Sequence, residues 1–210
     1  MEEQFVVVVP VKPPALGKSR LQGLSDALRR ELAGAFALDT AAAALATPAV
    51  TQVLAATDDA AFAARLAALG CATLPDGDTS GLHAALRQAV AEARRRWPEL
   101  TPVALLADLP ALRPAELDAA LASLVPGGAS YVADADGTGT TLYTAPYDEF
   151  DPAFGEGSAG AHLAGGALAV RGDLASLRRD VDDLDDLRAA VVLGVGPETA
   201  ALVARLPLAH

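Results

Sequence analysis

The chain has 210 residues, of which 52% are hydrophobic and 20% are charged, and its formal net charge at neutral pH is −11. This composition is typical of a globular protein, and the negative charge disfavours a nucleic-acid partner. No apolar run approaches the roughly 18 residues of a membrane span. The start Met-Glu-Glu-Gln lacks a basic signal region, and the lone cysteine, Cys71, excludes an internal disulfide. These features predict a cytoplasmic protein that binds neither nucleic acid nor membrane.

The first half of the chain alternates strand-like and helix-like segments. Strands are expected at residues 6–10, 51–56 and 72–74, and helices at residues 25–46, 58–69 and 81–96. Ser25 can cap the first of these helices, and Gly70 can end the second because glycine readily adopts a left-handed backbone. The alternation is typical of a sheet with helices on its faces.

The second half continues this pattern. Strands are expected at residues 102–107, 131–134 and 140–144, and helices at residues 114–124, 183–191 and 197–206. The turn residues around Gly137 predict that the strands 131–134 and 140–144 are paired. The stretch after Ser158 begins as a helix and is then ambiguous to Arg179. We therefore expect one α/β domain over residues 1–210, with a mostly parallel central sheet and flanking helices.

A basic loop, "VPVKPPALGKSRL", follows the first strand and ends in Gly-Lys-Ser. It is not a phosphate-binding P-loop, because that motif needs a glycine five residues before Gly17, where this chain has Lys12. The prolines in between also lack the N–H groups that would hold phosphates. Lys12 and Lys18 are the only lysines of the chain, and Arg20 lies beside them. Either the loop is merely solvated, or its side chains hold a triphosphate as compact positive charges.

Two acidic segments are candidate metal ligands. In "VALLADLPAL", Asp108 follows an apolar strand, at the edge of the sheet where ligands bind in open α/β folds. In "RRDVDDLDDL", Asp180 and Asp182 flank Val181, so in an extended chain both carboxylates face one side. Carboxylate oxygens suit Mg²⁺, whereas a turn or an acidic first helical turn is the structural alternative.

Two glycine-rich segments are candidate anion sites. "DADGTGTTLY" predicts a tight hairpin turn at Asp136-Gly137, with hydroxyls and backbone amides from residue 138 to residue 141 able to face an anion. "FGEGSAGAHL" places Ser158 at a helix start, either as a plain N-cap or beside amides that bind an anion, and the histidine that follows, His162, is expected to be structural. Gly81, at another helix start, permits close approach of a nucleobase.

Taken in order, these motifs resemble one family, the 2-phospho-L-lactate/phosphoenolpyruvate guanylyltransferases of deazaflavin (coenzyme F-420) biosynthesis. The resemblance extends over nearly the whole chain and rests on "VPVKPPALGKSRL", "ATDD", "SGLHAAL", "ADLPAL", "GTGTTLY", "FGEGS" and "DVDDLDDL". One departure is His83, where the family commonly has asparagine after Gly-Leu. The family is similar to the molybdenum-cofactor and sugar-phosphate nucleotidyltransferases, which implies a single-domain, Rossmann-like nucleotidyltransferase fold.

The resemblance implies a role for each candidate residue. Its basic loop over the nucleotide phosphates matches Lys12, Lys18 and Arg20. Its magnesium-binding aspartates match Asp108, Asp180 and Asp182, and its positions for the carboxylate and phosphate of the acceptor match Thr140, Gly155 and Ser158.

The implied reaction needs no general base. A phosphate oxygen of the acceptor attacks the α-phosphorus of GTP and pyrophosphate leaves, so positioning and charge neutralisation by Mg²⁺ and lysines are enough. Another nucleotidyltransferase of the same fold, acting on 3-phosphoglycerate, a sugar phosphate or molybdopterin, is an alternative, as is a non-catalytic nucleotide-binding protein. The Ala- and Arg-rich composition suggests a GC-rich bacterium. Because bacterial members of the family that the chain resembles favour phosphoenolpyruvate, the resemblance implies that acceptor. Contact with the next enzyme of the pathway is also expected.

Overall fold

A computed structural model describes residues 3–11, 21, 23–75 and 81–206. The described part contains seven strands: β1 Phe5–Pro10, β2 Val50–Ala56, β3 Ala72–Leu74, β4 Thr101–Leu105, β5 Ser130–Ala133, β6 Thr140–Thr144 and β7 Leu168–Ala169. They form one sheet in the order β3-β2-β1-β4-β6-β5-β7. Only β6 is antiparallel to its neighbours β4 and β5, so the mostly parallel sheet and the predicted β5–β6 hairpin are both confirmed.

The helices of the described residues connect and cover these strands. They are α1 Asp26–Leu45, α2 Ala60–Leu69, α3 Leu82–Arg96, α4 Pro114–Ala122, α5 Ser158–Ala164, α6 Ala175–Arg178, α7 Leu184–Leu193 and α8 Pro197–Val203. The Ser25 side chain accepts the Leu28 N–H and caps α1, and Gly70 ends α2 with a left-handed backbone, both as predicted. The ambiguous stretch after Ser158 resolves into α5, β7 and α6.

One predicted strand is shorter than expected, because its last residues take part in loop contacts. Strand β4 ends at Leu105, although residues 102–107 were predicted as strand. The carbonyl of Ala107 accepts a hydrogen bond from the Thr40 hydroxyl, and the carbonyl of Asp108 accepts one from the Val181 N–H. Asp108 thus lies in a loop just beyond the carboxyl end of β4.

Hydrophobic clusters on the two faces of the sheet form most of the core. Along β1, Phe5, Val7 and Val9 belong to one cluster, and Val6 and Val8 belong to the other, as the two-residue period of a strand requires. Helices α1, α2, α4 and α6 contribute to the first cluster, and α3 and α5 to the second. Within the described residues, none of the helices combines the length and hydropathy that a membrane span requires.

The C-terminal helix α8 is attached to the core by Asp39, which lies in the C-terminal half of α1. Its side chain is only 5% exposed and accepts the N–H groups of Glu198, at 3.1 Å, and Thr199, at 2.8 Å. A Cβ added at Gly196 would overlap this carboxylate, so glycine is needed at that point of closest approach. Asp39 therefore caps α8 from a distant part of the chain, since it satisfies two amides at the start of that helix.

We expect Asp39→Ala to lower the free energy of unfolding by about 1–2 kcal/mol, because the amides of Glu198 and the buried Thr199 lose their acceptor. Urea titration of the wild type and the variant measures this difference. The control is Asp26→Ala on the same helix. The exposed Asp26 carboxylate pairs with Arg29, so its removal should lower the free energy of unfolding by less than about 0.5 kcal/mol. Equal stability of the Asp39 variant and the wild type would contradict the proposed attachment.

Candidate active site

A cleft of about 600 Å³ opens at the edge of the sheet where β4 and β5 end and the antiparallel β6 begins. This is the edge at which ligands bind in open α/β folds. The residues that line it come from the loops after β4 and β5, the start of β6, the start of α3 and two later segments: Leu82, Leu106, Asp108, Asp134, Asp136, Thr138, Gly139, Thr140, Phe154, Gly155, Glu156, Asp180 and Asp182.

The two predicted acidic segments meet in this cleft through one backbone hydrogen bond. The Val181 N–H donates to the Asp108 carbonyl at 3.0 Å. Val181 is completely buried, whereas Asp180 and Asp182 on either side of it are half-buried and line the cleft. The alternation read from the sequence therefore brings both carboxylates to the same side as Asp108.

The acidic residues that follow Asp182 organise the start of α7. Asp183 is the N-cap, and its side chain accepts the N–H groups of Asp185 and Asp186. Asp186 in turn accepts the Asp182 N–H at 3.1 Å and pairs with Arg179 at 3.0 Å. The acidic first turn therefore consists of Asp183, Asp185 and Asp186 and does not include Asp180 or Asp182, and its contacts hold the backbone at Asp182.

The chemistry of the lining residues suits a cation. Among the described residues, six carboxylates and no lysine or arginine line the cleft: Asp108, Asp134, Asp136, Glu156, Asp180 and Asp182. Oxygen donors of this kind are those that Mg²⁺ prefers. In the described ranges, however, no three Asp, Glu, His or Cys side chains are close enough to hold an ion by themselves. The donors thus fit a Mg²⁺ ion that takes one or two carboxylates and completes its coordination with substrate phosphates and water.

In the hairpin loop between β5 and β6, two of the amides that were predicted to face an anion are already bonded to a side chain of the loop. The Asp134 side chain accepts the N–H groups of Thr138, at 2.9 Å, and Gly139, at 2.7 Å. The expectation that these two amides face an anion is therefore wrong, because Asp134 occupies them. A Cβ at Gly139 would overlap the same carboxylate. Sequence reasoning missed Asp134, although an aspartate just before a Gly-rich turn commonly accepts amides of that turn.

The start of α5 also differs from both alternatives for Ser158. The N-cap is Gly157, so Ser158 is not an N-cap, and its amide donates to the Gly155 carbonyl at 3.1 Å. The next amide, of Ala159, donates to the Thr138 carbonyl. These two amides are used within the protein, which corrects the expectation of exposed amides there. The Ser158 hydroxyl itself is buried and has no hydrogen-bond partner in the described part of the chain.

A β-bulge sets the direction of Thr140. The pairing of β5 with β6 passes from Val132–Leu142 to Ala133–Thr140, so Thr141 is the extra residue. Bulges re-aim side chains next to active sites. The Thr140 side chain lines the cleft, and its hydroxyl lies 3.0 Å from Nδ1 of His162. The other ring nitrogen of His162 accepts the Ala153 N–H at 2.9 Å.

His83, the departure from the family pattern, contacts the same loop. Its Nε2 lies 2.9 Å from the carbonyl of Phe154, which can only accept, so the ring donates. This hydrogen bond joins the start of α3 to the loop that carries Gly155. Gly155 lines the cleft and has a φ of +123°, a conformation that other residues rarely adopt.

The remaining predicted positions lie outside the cleft walls or outside the described chain. Gly81 is the N-cap of α3 with a φ of +122°, and Leu82, not Gly81, lines the cleft. Lys12, Lys18 and Arg20 lie outside the described residues. Burial raises the pKa of the Cys71 thiol to about 11, which disfavours nucleophilic catalysis by that residue.

The chain has curated relatives of similar length. No family model matches its sequence. A Thermomonospora curvata protein named phosphoenolpyruvate guanylyltransferase is 52% identical over 98% of this chain and 91% of its own length. A Streptomyces coelicolor protein of the same name is 51% identical over 98% of this chain and 99% of its own length.

Solved structures share the fold. A Desulfovibrio desulfuricans G20 protein described as a nucleotide-diphospho-sugar transferase matches with a TM-score of 0.69 and 18% identity, over 97% of this chain and 95% of its own. A Mycobacterium tuberculosis H37Rv protein solved with manganese matches with a TM-score of 0.54 and 22% identity, over 91% of this chain and 100% of its own. At such identities the likeness concerns the fold alone.

These findings bear on two predictions made from the sequence. The structural matches confirm the Rossmann-like nucleotidyltransferase fold that the motif order implied. The curated relatives confirm an enzyme of the guanylyltransferase class and the family that the motifs resembled. The chain belongs to the phosphoenolpyruvate guanylyltransferase family.

Proposed function

We propose that this chain joins the guanylyl group of GTP to phosphoenolpyruvate and releases pyrophosphate. A phosphate oxygen of phosphoenolpyruvate forms a bond to the α-phosphorus of GTP, and the bond between that phosphorus and the bridging oxygen of the β-phosphate breaks. The product is enolpyruvyl-2-diphospho-5'-guanosine, which we propose serves coenzyme F-420 biosynthesis. The observation that carries the proposal is the acidic cleft in which Asp108 meets the segment from Asp180 to Asp182 in a chain 52% identical to a guanylyltransferase.

The acidic segments would hold the metal. Asp108, Asp180 and Asp182 line the cleft, and we assign Mg²⁺ to this set, with one or two of the three carboxylates binding the ion directly and substrate phosphates and water completing its coordination. When bound, Mg²⁺ neutralises charge on the phosphates of GTP and on the leaving pyrophosphate. The hydrogen bond from Val181 to the Asp108 carbonyl keeps the two segments adjacent, so both are already at the cleft before the nucleotide arrives.

The remaining candidate residues would bind the substrates. Lys12, Lys18 and Arg20, which lie outside the described residues, are assigned to the triphosphate because the sequence concentrates both lysines there. Gly81, at the start of α3, is assigned to the close approach of the nucleotide.

On the acceptor side, Thr140 and Gly155 are supported by their positions in the cleft wall. Ser158 is not among the residues that line the cleft, and its support is a buried hydroxyl that has no partner within the described residues. A buried hydroxyl of this kind is costly to leave unsatisfied, so a ligand that accepts its hydrogen bond would be stabilised.

The other predictions about partners follow from the same reaction. One domain over residues 1–210 would carry both the GTP and the phosphoenolpyruvate sites. Neither nucleic acid nor a membrane is needed as a partner, in keeping with the net charge of −11. A cytoplasmic location and contact with the next enzyme of the pathway stay predictions.

The proposal is tested by measuring pyrophosphate release from GTP in the presence of phosphoenolpyruvate, 2-phospho-L-lactate, 3-phosphoglycerate or a sugar phosphate. We expect the highest rate with phosphoenolpyruvate, a lower rate when ATP, CTP or UTP replaces GTP, and loss of turnover in EDTA that added Mg²⁺ restores. A preference for 3-phosphoglycerate or a sugar phosphate would assign another acceptor, and turnover that resists EDTA would remove the metal from the mechanism.

A further inference from the structure

A chain of hydrogen bonds runs from the backbone of Ala153 through His162 to Thr140. The Ala153 N–H lies 2.9 Å from Nε2 of His162, and Nδ1 of His162 lies 3.0 Å from the Thr140 hydroxyl. A backbone N–H can only donate, so Nε2 must carry a lone pair. A neutral imidazole with a lone pair on Nε2 has its hydrogen on Nδ1, and that hydrogen is donated to Thr140.

Because His162 donates and Thr140 accepts, the Thr140 hydroxyl can act as a hydrogen-bond donor toward the cleft. Since its oxygen accepts from His162, its own O–H is not used by that contact. Thr140 is 3% exposed and is one of the residues that line the cleft, so a hydroxyl hydrogen turned to that side would be available to an atom bound there. With the opposite tautomer of His162, the O–H would donate to the ring, and the hydroxyl would offer only lone pairs to the cleft.

A donor at this position matters because of the charge around it. Six carboxylates line the described wall of the cleft, and they repel the carboxylate and phosphate of an anionic acceptor. A hydroxyl that already accepts a hydrogen bond is polarised and becomes a stronger donor, as neighbouring members of a hydrogen-bond chain strengthen one another. Hydrogen bonds to charged groups are the stronger ones.

We propose that His162 is a positioning residue for the acceptor: by donating Nδ1–H to Thr140, it directs the Thr140 hydroxyl hydrogen to an anionic oxygen of the phospho-acid. The inference rests on the proposed function, because it assigns that site to phosphoenolpyruvate. His162 itself contacts no substrate in this arrangement. Its effect on the reaction passes through Thr140.

The surroundings of His162 keep it in the required form. Its ring stacks on Tyr143, with ring centres 4.5 Å apart, and lies 5.6 Å from Tyr131 and 6.0 Å from Phe154. It is 3% exposed. Burial and, to a smaller extent, His83 lower the pKa of His162 to about 4, while Asp151 acts in the opposite direction. At neutral pH the ring is therefore uncharged, and Ala153 selects the tautomer.

The test is a double-mutant cycle with steady-state kinetics in Mg²⁺. The forms compared are wild type, Thr140→Val, His162→Leu and the double variant. Each single change should raise the KM for phosphoenolpyruvate about tenfold, and the double variant should also show about tenfold instead of about a hundredfold. The KM for GTP should stay within about twofold, because His162 acts only through Thr140.

Two controls separate this role from a structural one. Thr144→Val removes another buried hydroxyl of β6, which donates to the Pro102 carbonyl and is not among the residues that line the cleft, and should leave both KM values unchanged. If His162→Leu does not fold, His162→Phe takes its place in the cycle with the same expected rise in KM, because it keeps a ring against Tyr143 but has no N–H to donate. His162→Asn, whose amide N–H can donate to Thr140, should instead keep the KM for phosphoenolpyruvate within about threefold.

Three results would overturn the inference. An unchanged KM for phosphoenolpyruvate in Thr140→Val or His162→Leu would do so, and so would a double variant whose effect is the product of the single effects. A wild-type enzyme that does not turn over GTP with phosphoenolpyruvate would instead overturn the proposed function, and with it the assignment of an acceptor to Thr140.

Discussion

Asp108→Asn and Asp182→Asn are expected to fold normally and to lose guanylyl transfer by about a hundredfold or more, or about 2–4 kcal/mol of transition-state stabilisation. Both carboxylates line one cleft, and the Val181–Asp108 hydrogen bond holds their segments together. Asparagine preserves the size and polarity of each side chain but removes one negative charge. The positive charge held at the cleft, and with it the neutralisation of the phosphates, is therefore weakened.

The measurement is kcat/KM for GTP at saturating phosphoenolpyruvate, beside a thermal melting curve. The matched control is Asp136→Asn, which removes a carboxylate from an exposed turn in the same cleft wall and should change the rate by less than about threefold. Wild-type activity in either test variant at ordinary Mg²⁺ concentrations would contradict the assignment of that aspartate as a Mg²⁺ ligand. An equal loss in the Asp136 variant would mean that only the total charge of the cleft matters.

Acid should destabilise this protein through His162. Burial lowers the pKa of His162 in the folded chain to about 4, below the ordinary 6.5. Between these two pH values the histidine is mostly protonated in the unfolded chain and mostly neutral in the folded chain. Above pH 6.5 the group contributes no difference. As the pH falls from 6.5 to 4, the free energy of unfolding should decrease. The decrease should be about 2 kcal/mol between pH 7.5 and 5, and about 3 kcal/mol once the pH is below both pKa values.

Urea titrations at several pH values between 7.5 and 5 measure this loss. In that range most carboxylates stay ionised, so the histidine contributes much of the slope. The control is His162→Asn, which should be less stable than the wild type at pH 7.5. Between pH 7.5 and 5, its free energy of unfolding should fall by about 2 kcal/mol less than that of the wild type. Parallel curves for the two proteins would contradict a buried, neutral His162.

The local features of the fold could be predicted because they depend on neighbours in the chain. The Ser25 cap, the left-handed Gly70 and the hairpin of β5 and β6 each involve residues a few positions apart. The apolar residues 6–9 predicted the first strand, and the structure adds that their side chains are buried in clusters on both faces of the sheet. The stretch after Ser158 was ambiguous, since β7 has only two residues and depends on pairing with β5.

The sequence by itself determined the fold class, the family and the alternation that turns Asp180 and Asp182 to one side of the buried Val181, because periodicity and motif order are local properties of the chain. Tertiary structure alone decided which polar groups are already used. Asp134 occupies the amides of Thr138 and Gly139, whereas Ser158 keeps a buried hydroxyl without a partner in the described chain. The bond from Val181 to Asp108 joins residues 73 positions apart, and the contact of His162 with Thr140 lies beside a bulge in the pairing of β5 with β6. Hydrogen bonds between distant segments depend on how the packed core brings those segments together, so no local sequence pattern predicts them.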